Sequence, residues 1–229
     1  DLKSLKEIFK ELEFNKLFKE LLEEKSPLSA TRDYRLVLHQ DEFLALLEDL
    51  KKAPSFSVDL ETTSPYPMWA DLVGISLSYI PHQAFYIPVG HQHPGATQQL
   101  PLPWVLEQLK PILEDRGLKK VGQNIKYDWI VLKRYGIHLQ GIDGDTMIAS
   151  YLLNPTKHNH NLGEIAQEYL DRSVTDYKEV VGTGTKAVTF DQIELERAKD
   201  LMKGNRLLSL ESSDNLMTSL AKKAIYFKS

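Results

Sequence analysis

The sequence contains no cysteine. That removes disulfides, thiolate metal ligands and cysteine nucleophiles, and it suits a reducing cytoplasm. No uninterrupted apolar run reaches the roughly 18 residues that a membrane-spanning helix needs. The opening residues, Asp1-Leu2-Lys3-Ser4, lack the apolar stretch of a secretory signal. Positive charge is not in excess: 28 Lys and Arg stand against 32 Asp and Glu, a formal net charge of −4. Such a chain does not coat nucleic acid through bulk charge. A nucleic-acid enzyme stays compatible with it, because that needs only local positive charge and can concentrate carboxylates at a metal site. No internal repeat is visible. What is present is ordinary globular material: 229 residues, 42% hydrophobic and 26% charged, enough for one large domain, or a domain with an appendage, around a real core.

Residues 1–25 place Leu2, Leu5, Ile8, Phe9, Leu12, Leu17, Phe18 and Leu21 at helical spacing, which predicts an amphipathic helix. Ser26 to Thr31 reads as a linker. Tyr34 to His39 reads as a short strand and Asp41 to Lys52 as a helix stopped by Pro54. Phe56 to Glu61 alternates apolar and polar residues, a strand with two different faces. Leu72 to Ile80 and Ala84 to Val89 form a hairpin across Pro81-His82-Gln83. Helices follow over 104–113, 124–135, 146–153, 162–170 and 191–199, with a short strand at Lys119 to Gly122. Asn124 is the expected N-cap of the second of these helices and Gly136 its terminator, while Asn161 and Glu164 cap the helix at 162. Strands come early and helices late, so the chain is expected to be an α/β fold with a mixed central sheet flanked by helices.

Two short constellations carry chemistry. Asp59 and Glu61 lie two apart on a strand, so both carboxylates share one face with Ser57 while Val58 and Leu60 turn to the core. Neighbouring carboxylates repel, and a divalent cation makes such a pair favourable; a solvated strand end fits the same pattern. Asn124, Tyr127 and Asp128 stand at i, i+3 and i+4, one face of a helix, with Ile125, Trp129 and Leu132 available to a core face. That set suits metal and nucleic acid, and also an ordinary acidic first turn of a helix.

Taken together, Phe56-Ser57-Val58-Asp59-Leu60-Glu61-Thr62 and Val121-Gly122-Gln123-Asn124-Ile125-Lys126-Tyr127-Asp128 resemble the first and second motifs of the 3′–5′ exonuclease domain of bacterial DNA polymerase I. Tyr86 to His91, Asp145-Thr146-Met147, Tyr151 to Pro155, His160-Asn161-Leu162 and Tyr177 to Gly182 are also similar to that family. The resemblance implies an RNase H-like fold with an N-terminal helical extension over 1–30, an exonuclease domain over 31–200 and an atypical tail over 201–229. It implies two divalent cations, Mg²⁺ or Mn²⁺, with Asp59, Glu61 and Asp128 as ligands and Asp59 bridging. Thr62, Asn124 and Tyr127 would hold the terminal nucleotides, and Tyr177 would stack on a base. The implied substrate is a single-stranded or frayed 3′ DNA end, and the implied setting a cytoplasmic monomer beside a polymerase domain of the same parent chain.

The family's third motif carries a tyrosine and, four residues later, an aspartate. Counted without a gap from Phe190, these fall on Leu201 and Asn205; a gapped alignment supplies Asp214 as a fourth carboxylate but puts Leu208 at the tyrosine position. A catalytically reduced scaffold that binds single strands is therefore the alternative. Three weaker signals complete the reading. His91 and His93 sit between Gly90 and Pro94 and read as a surface loop. Gly182-Thr183-Gly184-Thr185-Lys186 reads as a loop touching the DNA backbone through Lys186. Lys119, Lys120, Lys126, Lys133 and Arg134 form a basic stretch that either attracts the strand or is a solvated helix face.

Overall fold

A computed structural model describes residues 33–96, 98–170, 174, 177–184 and 187–198. The helix expected over 1–25, the linker after it, Lys186, Asp214 and the tail from 199 onward lie outside the described residues.

The element order is β1 (Asp33–Leu36), α1 (Gln40–Lys52), β2 (Ser55–Thr62), β3 (Leu72–Ile80), β4 (Gln83–Pro88), α2 (Leu102–Leu113), β5 (Lys119–Gly122), α3 (Ile125–Arg134), β6 (Ile142–Asp145), α4 (Thr146–Leu153), α5 (Leu162–Leu170) and α6 (Tyr177–Val181). A 3₁₀ turn at Phe190–Gln192 follows. The six strands form one mixed sheet in the order β1-β4-β3-β2-β5-β6. The β2-β3-β4 run is antiparallel, while β5 pairs parallel to β2 and β6 parallel to β5. This is an RNase H-like α/β sheet carrying β1 as an added edge strand parallel to β4.

Period-two alternation sorts the sheet's side chains into two environments. On one face Phe56, Val58, Leu60, Ile75, Leu77, Phe85 and Ile87 bury against α1, α2 and α3 in the main core. Tyr86, between Phe85 and Ile87 on β4, belongs to the other face. There it joins Val73, Val180, Val181, Phe190, Ile193 and Ala198 in a smaller cluster that seats the segment around residue 190 on the sheet.

Several expectations need correction. The segment 191–199 is not one helix: the 3₁₀ turn is followed by extended Ile193 (φ −91°, ψ 153°) before helix resumes over 195–198. Buried Phe190 anchors the turn, and the Gln92 N–H donates to the Asp191 carbonyl at 2.7 Å. Strand β6, Ile-Asp-Gly-Asp, shows no alternating pattern and forms because β5 offers it an edge. Trp129 does not face the core; it is exposed, and Asp128, Val131 and Leu132 take the buried side of α3 with Ile125. His91 is buried rather than on a surface loop: the Tyr86 hydroxyl donates to its Nε2 at 2.6 Å and its Nδ1–H donates to the Ile193 carbonyl at 3.1 Å.

Lys120 also leaves the proposed basic surface. It is fully buried beside the Phe56 ring, and its ammonium donates to the Asp115 carbonyl at 2.5 Å. Burial lowers its pKa to about 8, the charge of Asp115 opposing. An unfolded chain holds this proton up to the ordinary lysine value, so between about pH 8 and about pH 10 the unfolded state binds more protons and stability rises with pH. Urea denaturation across that window is expected to show the wild-type midpoint rising relative to that of Lys120→Met; parallel curves would refute it.

Candidate active site

The acidic face of β2 looks onto a floor of small side chains. Ser57, Asp59 and Glu61 stand opposite Ser78, Ser76 and Gly74 of β3, and all three serines are buried. Gly74 is required by a close approach, because a Cβ there would lie 2.1 Å from the Tyr86 hydroxyl. A larger residue would displace Tyr86 and with it the His91 pair.

The second motif arrives through topology. β5 runs parallel to β2, pairing Ser57 with Val121, and ends at Gly122 while β2 continues to Thr62. The chain leaving β5 therefore turns next to Asp59–Thr62. Asn124 makes that turn in the left-handed region, φ 58°, which asparagine tolerates better than most residues. It occupies the N-cap position of α3, but its side chain does not cap. Asp145 does so instead. Its carboxylate accepts the N–H groups of Asn124 and Ile125, each at 3.0 Å, and those of Met147 and Ile148 at 2.9 and 3.3 Å. One side chain thus caps the N-termini of α3 and α4 together. Its signal in the sequence was an aspartate just before an apolar helix, Asp145-Thr146-Met147, which is legible for α4 and silent for α3.

The first turn of α3 then meets β2. Asp128 is 1% exposed, and its Oδ1 accepts the Leu60 N–H at 2.9 Å. The Tyr127 hydroxyl bonds Thr62 Oγ1 at 2.5 Å and donates to the Ser64 carbonyl. Thr62 Oγ1 also reaches the Ser64 carbonyl, at 3.2 Å, so Thr62, Tyr127 and Ser64 form one small network. Burial raises the Tyr127 pKa; the Thr62 hydrogen bond opposes this, and the negative charges of Asp128, Glu61 and Asp59 add to it. The phenol is therefore neutral at physiological pH, with the three carboxylates as its electrostatic neighbours.

Tyr177 joins the same site. Burial pushes its phenol up to about 12, with Glu61, Tyr127 and Asp191 adding to the effect. Its ring stacks on Phe190, with centroids 6.0 Å apart and 14° between planes. Of the residues singled out in the sequence, Asp59, Glu61, Thr62, Tyr127, Asp128 and Tyr177 are thus brought together, while Asn124 lies at the turn with its Oδ1 accepting from Lys126. Lys186 and Asp214 fall outside the described residues. Among the described residues, no three acidic, histidine or cysteine side chains close into a ready-made metal cage. Like charges repel, and Asp128 is turned onto the β2 backbone, so the carboxylates share Tyr127 as a neighbour without collapsing on one point.

The fold defines the class: an RNase H-like α/β domain, with an acidic strand beside a carboxylate-bearing helix. Residues 34–200 match the 3′–5′ exonuclease model of the family-A DNA polymerases, and the chain belongs to that exonuclease family. It is similar to DNA polymerase I of Pseudomonas aeruginosa, 38% identical over 203 residues, which cover 83% of this chain and 22% of that protein. The chain spans about a fifth of the length of the curated relatives it matches. Among solved structures it resembles Brucella melitensis NrnC, with TM-score 0.60 and 20% identity over 84% of this chain and 82% of the other. NrnC has also been solved with bound Mg²⁺. Trypanosoma brucei RNase D gives TM-score 0.65 at 15% identity, over 80% of this chain and 64% of that one. Among the described residues no helix is long and apolar enough to cross a membrane.

The Asp128–Leu60 bond yields a direct test. Asp128→Leu strands a buried N–H and is expected to lose about 1–3 kcal/mol. Asp128→Asn keeps an acceptor oxygen and stays within about 1 kcal/mol of wild type. Urea unfolding of both variants reads the difference, and equal losses would show that the bond does not hold the helix.

Proposed function

We propose that this chain hydrolyses the 3′-terminal phosphodiester of DNA and releases nucleoside monophosphates, using two divalent cations, Mg²⁺ or Mn²⁺, held by Asp59, Glu61 and Asp128. The observation that supports this is the setting of those carboxylates around Tyr127, at the junction of β2 and α3 in a 3′–5′ exonuclease fold. The donor set consists of oxygens alone, which suits hard cations over thiophilic ones. Bound there, such ions would polarise the scissile phosphate and lower the pKa of the attacking water.

The chain's own groups do the rest. The Leu60 N–H fixes one oxygen of Asp128, so this carboxylate is preoriented and little ordering remains to be done on binding. Thr62 and neutral Tyr127 form a hydroxyl pair beside the acidic strand and are assigned to the terminal nucleotide. Lys126, held by Asn124 at the first turn of α3, brings positive charge to a helix N-terminus, where phosphate is favoured. Tyr177, 45% exposed and backed by Phe190, offers a ring to a base. Lys186 as a backbone contact and Asp214 as a fourth carboxylate belong to the same proposal. Because the relatives are DNA polymerase I proteins several times longer, we assign residues 31–200 to a monomeric proofreading unit of a cytoplasmic polymerase, acting on single-stranded or frayed 3′ ends. Residues 1–30 would be its helical extension and 201–229 its atypical tail.

One observation favours a second reading. Leu201 and Asn205 stand where the family's third motif has a tyrosine and an aspartate, as in a scaffold that retains single-strand binding without efficient cleavage. Degradation of a 5′-labelled single-stranded oligonucleotide with Mg²⁺ or Mn²⁺ decides between them. The exonuclease gives a ladder shortening from the 3′ end, and Asp59→Ala slows it at least about a hundredfold. An intact oligonucleotide with folded wild-type protein selects the scaffold.

A further inference from the structure

The connection between β2 and β3 displays aromatic side chains beside the site in an unusual way. The Thr63 N–H bonds the Asp71 carbonyl and the Asp71 N–H bonds Thr63 Oγ1, both at 3.0 Å, pinching residues 64–70 into a closed loop. Inside it, the Trp69 N–H bonds the Tyr66 carbonyl at 3.0 Å and the Tyr66 N–H bonds Ser64 Oγ at 3.1 Å. Arg134 of α3 donates to the carbonyls of Pro67 and Ala70 from below. The loop backbone is thus tied at its neck, its turn and its floor. From this frame Tyr66, Met68 and Trp69 project 64%, 62% and 76% exposed, and the two rings lie 5.9 Å apart at 54°. Tryptophan is highly buried on average. Here the hydrogen bonds hold it away from the core.

Two features point to the occupant. The loop is continuous with the site, since the Ser64 carbonyl that begins it is the acceptor of Tyr127. The patch is also small: three side chains, of which an aromatic buries at most about 150–250 Å², cannot supply the roughly 800 Å² per partner of a stable protein interface. Two ring faces next to a strand-end site do suit unpaired bases, which stack on aromatics whatever their sequence.

We propose that Tyr66 and Trp69 form a stacking platform for the unpaired bases just upstream of the 3′-terminal nucleotide, a proposal that rests on the exonuclease reading. The platform sets affinity for the strand and the length of single strand needed for efficient binding. Trp129 on α3, exposed with the Lys133 ammonium 5.6 Å from its ring centroid, extends the same aromatic and basic character along the helix that supplies Arg134.

The test measures binding of a 5′-fluorescent oligonucleotide by anisotropy in EDTA, using the full chain. Trp69→Ala is expected to bind an intact single strand about tenfold more weakly, with Trp69→Phe recovering most of the loss and melting temperatures unchanged. On a strand with abasic sites at the second to fourth nucleotides from the 3′ end, wild type and Trp69→Ala bind alike. Equal binding of the intact strand by wild type and Trp69→Ala overturns the proposal, as does a loss that persists on the abasic strand. Cleavage of a dinucleotide by wild type with Mg²⁺ reads the carboxylate site alone. Dinucleotide cleavage without Trp69 sensitivity in binding rejects the platform and keeps the exonuclease. Trp69-sensitive binding with no cleavage of any substrate rejects the exonuclease and leaves the platform as a strand-binding surface.

Discussion

The arrangement around the site depends on one buried hydrogen bond, from the Leu60 N–H to the Asp128 carboxylate. Leu60 lies between the two carboxylates of β2, so the bond fixes where the third carboxylate stands relative to the first two. It also answers a physical demand on α3. A fully buried carboxylate is tolerable only with donors at hand, and the β2 backbone provides one where the strand has outrun its neighbour β5. Helix and strand are therefore held together by one of the three carboxylates assigned to the metal site in the proposed function. The neighbouring Tyr127–Thr62–Ser64 contacts repeat the device one residue earlier on the helix and farther along the strand.

The acidic strand was readable from sequence because period two leaves no choice: if Val58 and Leu60 are in the core, Asp59 and Glu61 are not. The helix was readable for the same reason at period 3.6, and most element boundaries followed from apolar spacing and from the prolines. What escaped the sequence depends on partners that only the tertiary fold supplies. Asp145 caps α3 from 20 residues away, and Asn124, the local candidate, leaves that role. Lys120 and His91 look like surface residues by type. Each is buried with an N–H donated to a specific carbonyl, that of Asp115 or Ile193, and no local pattern announces such a partner. Strand β6 has no pattern of its own and exists only as an edge on β5.

The two faces of the sheet divide the work. One face is a conventional apolar core under three helices. The other is polar along β2 and β3, with Ser57, Ser76 and Ser78 buried beside the carboxylates, and becomes apolar only toward β4, where Tyr86 covers Gly74 and reaches His91. That second cluster seats Phe190, and Phe190 backs Tyr177. A chain of packed rings thus links the strand opposite the acidic residues to the aromatic that faces them, so small changes on β3 reach the site indirectly.

The bond from Leu60 to Asp128 joins residues 68 apart in the chain. Closing a loop of that length is an entropic cost that must be met before the contact yields anything, and pairings of this kind slow folding. The β2-β3-β4 meander is local and can form first, leaving Asp59 and Glu61 on an exposed strand edge until β5 and α3 dock. On a ribosome the same order applies with a built-in delay, because α3 is synthesised some 60 residues after β2. In that order the acidic strand is an unpaired edge, and a charged edge is one of the means by which nascent sheets avoid pairing with the wrong chain.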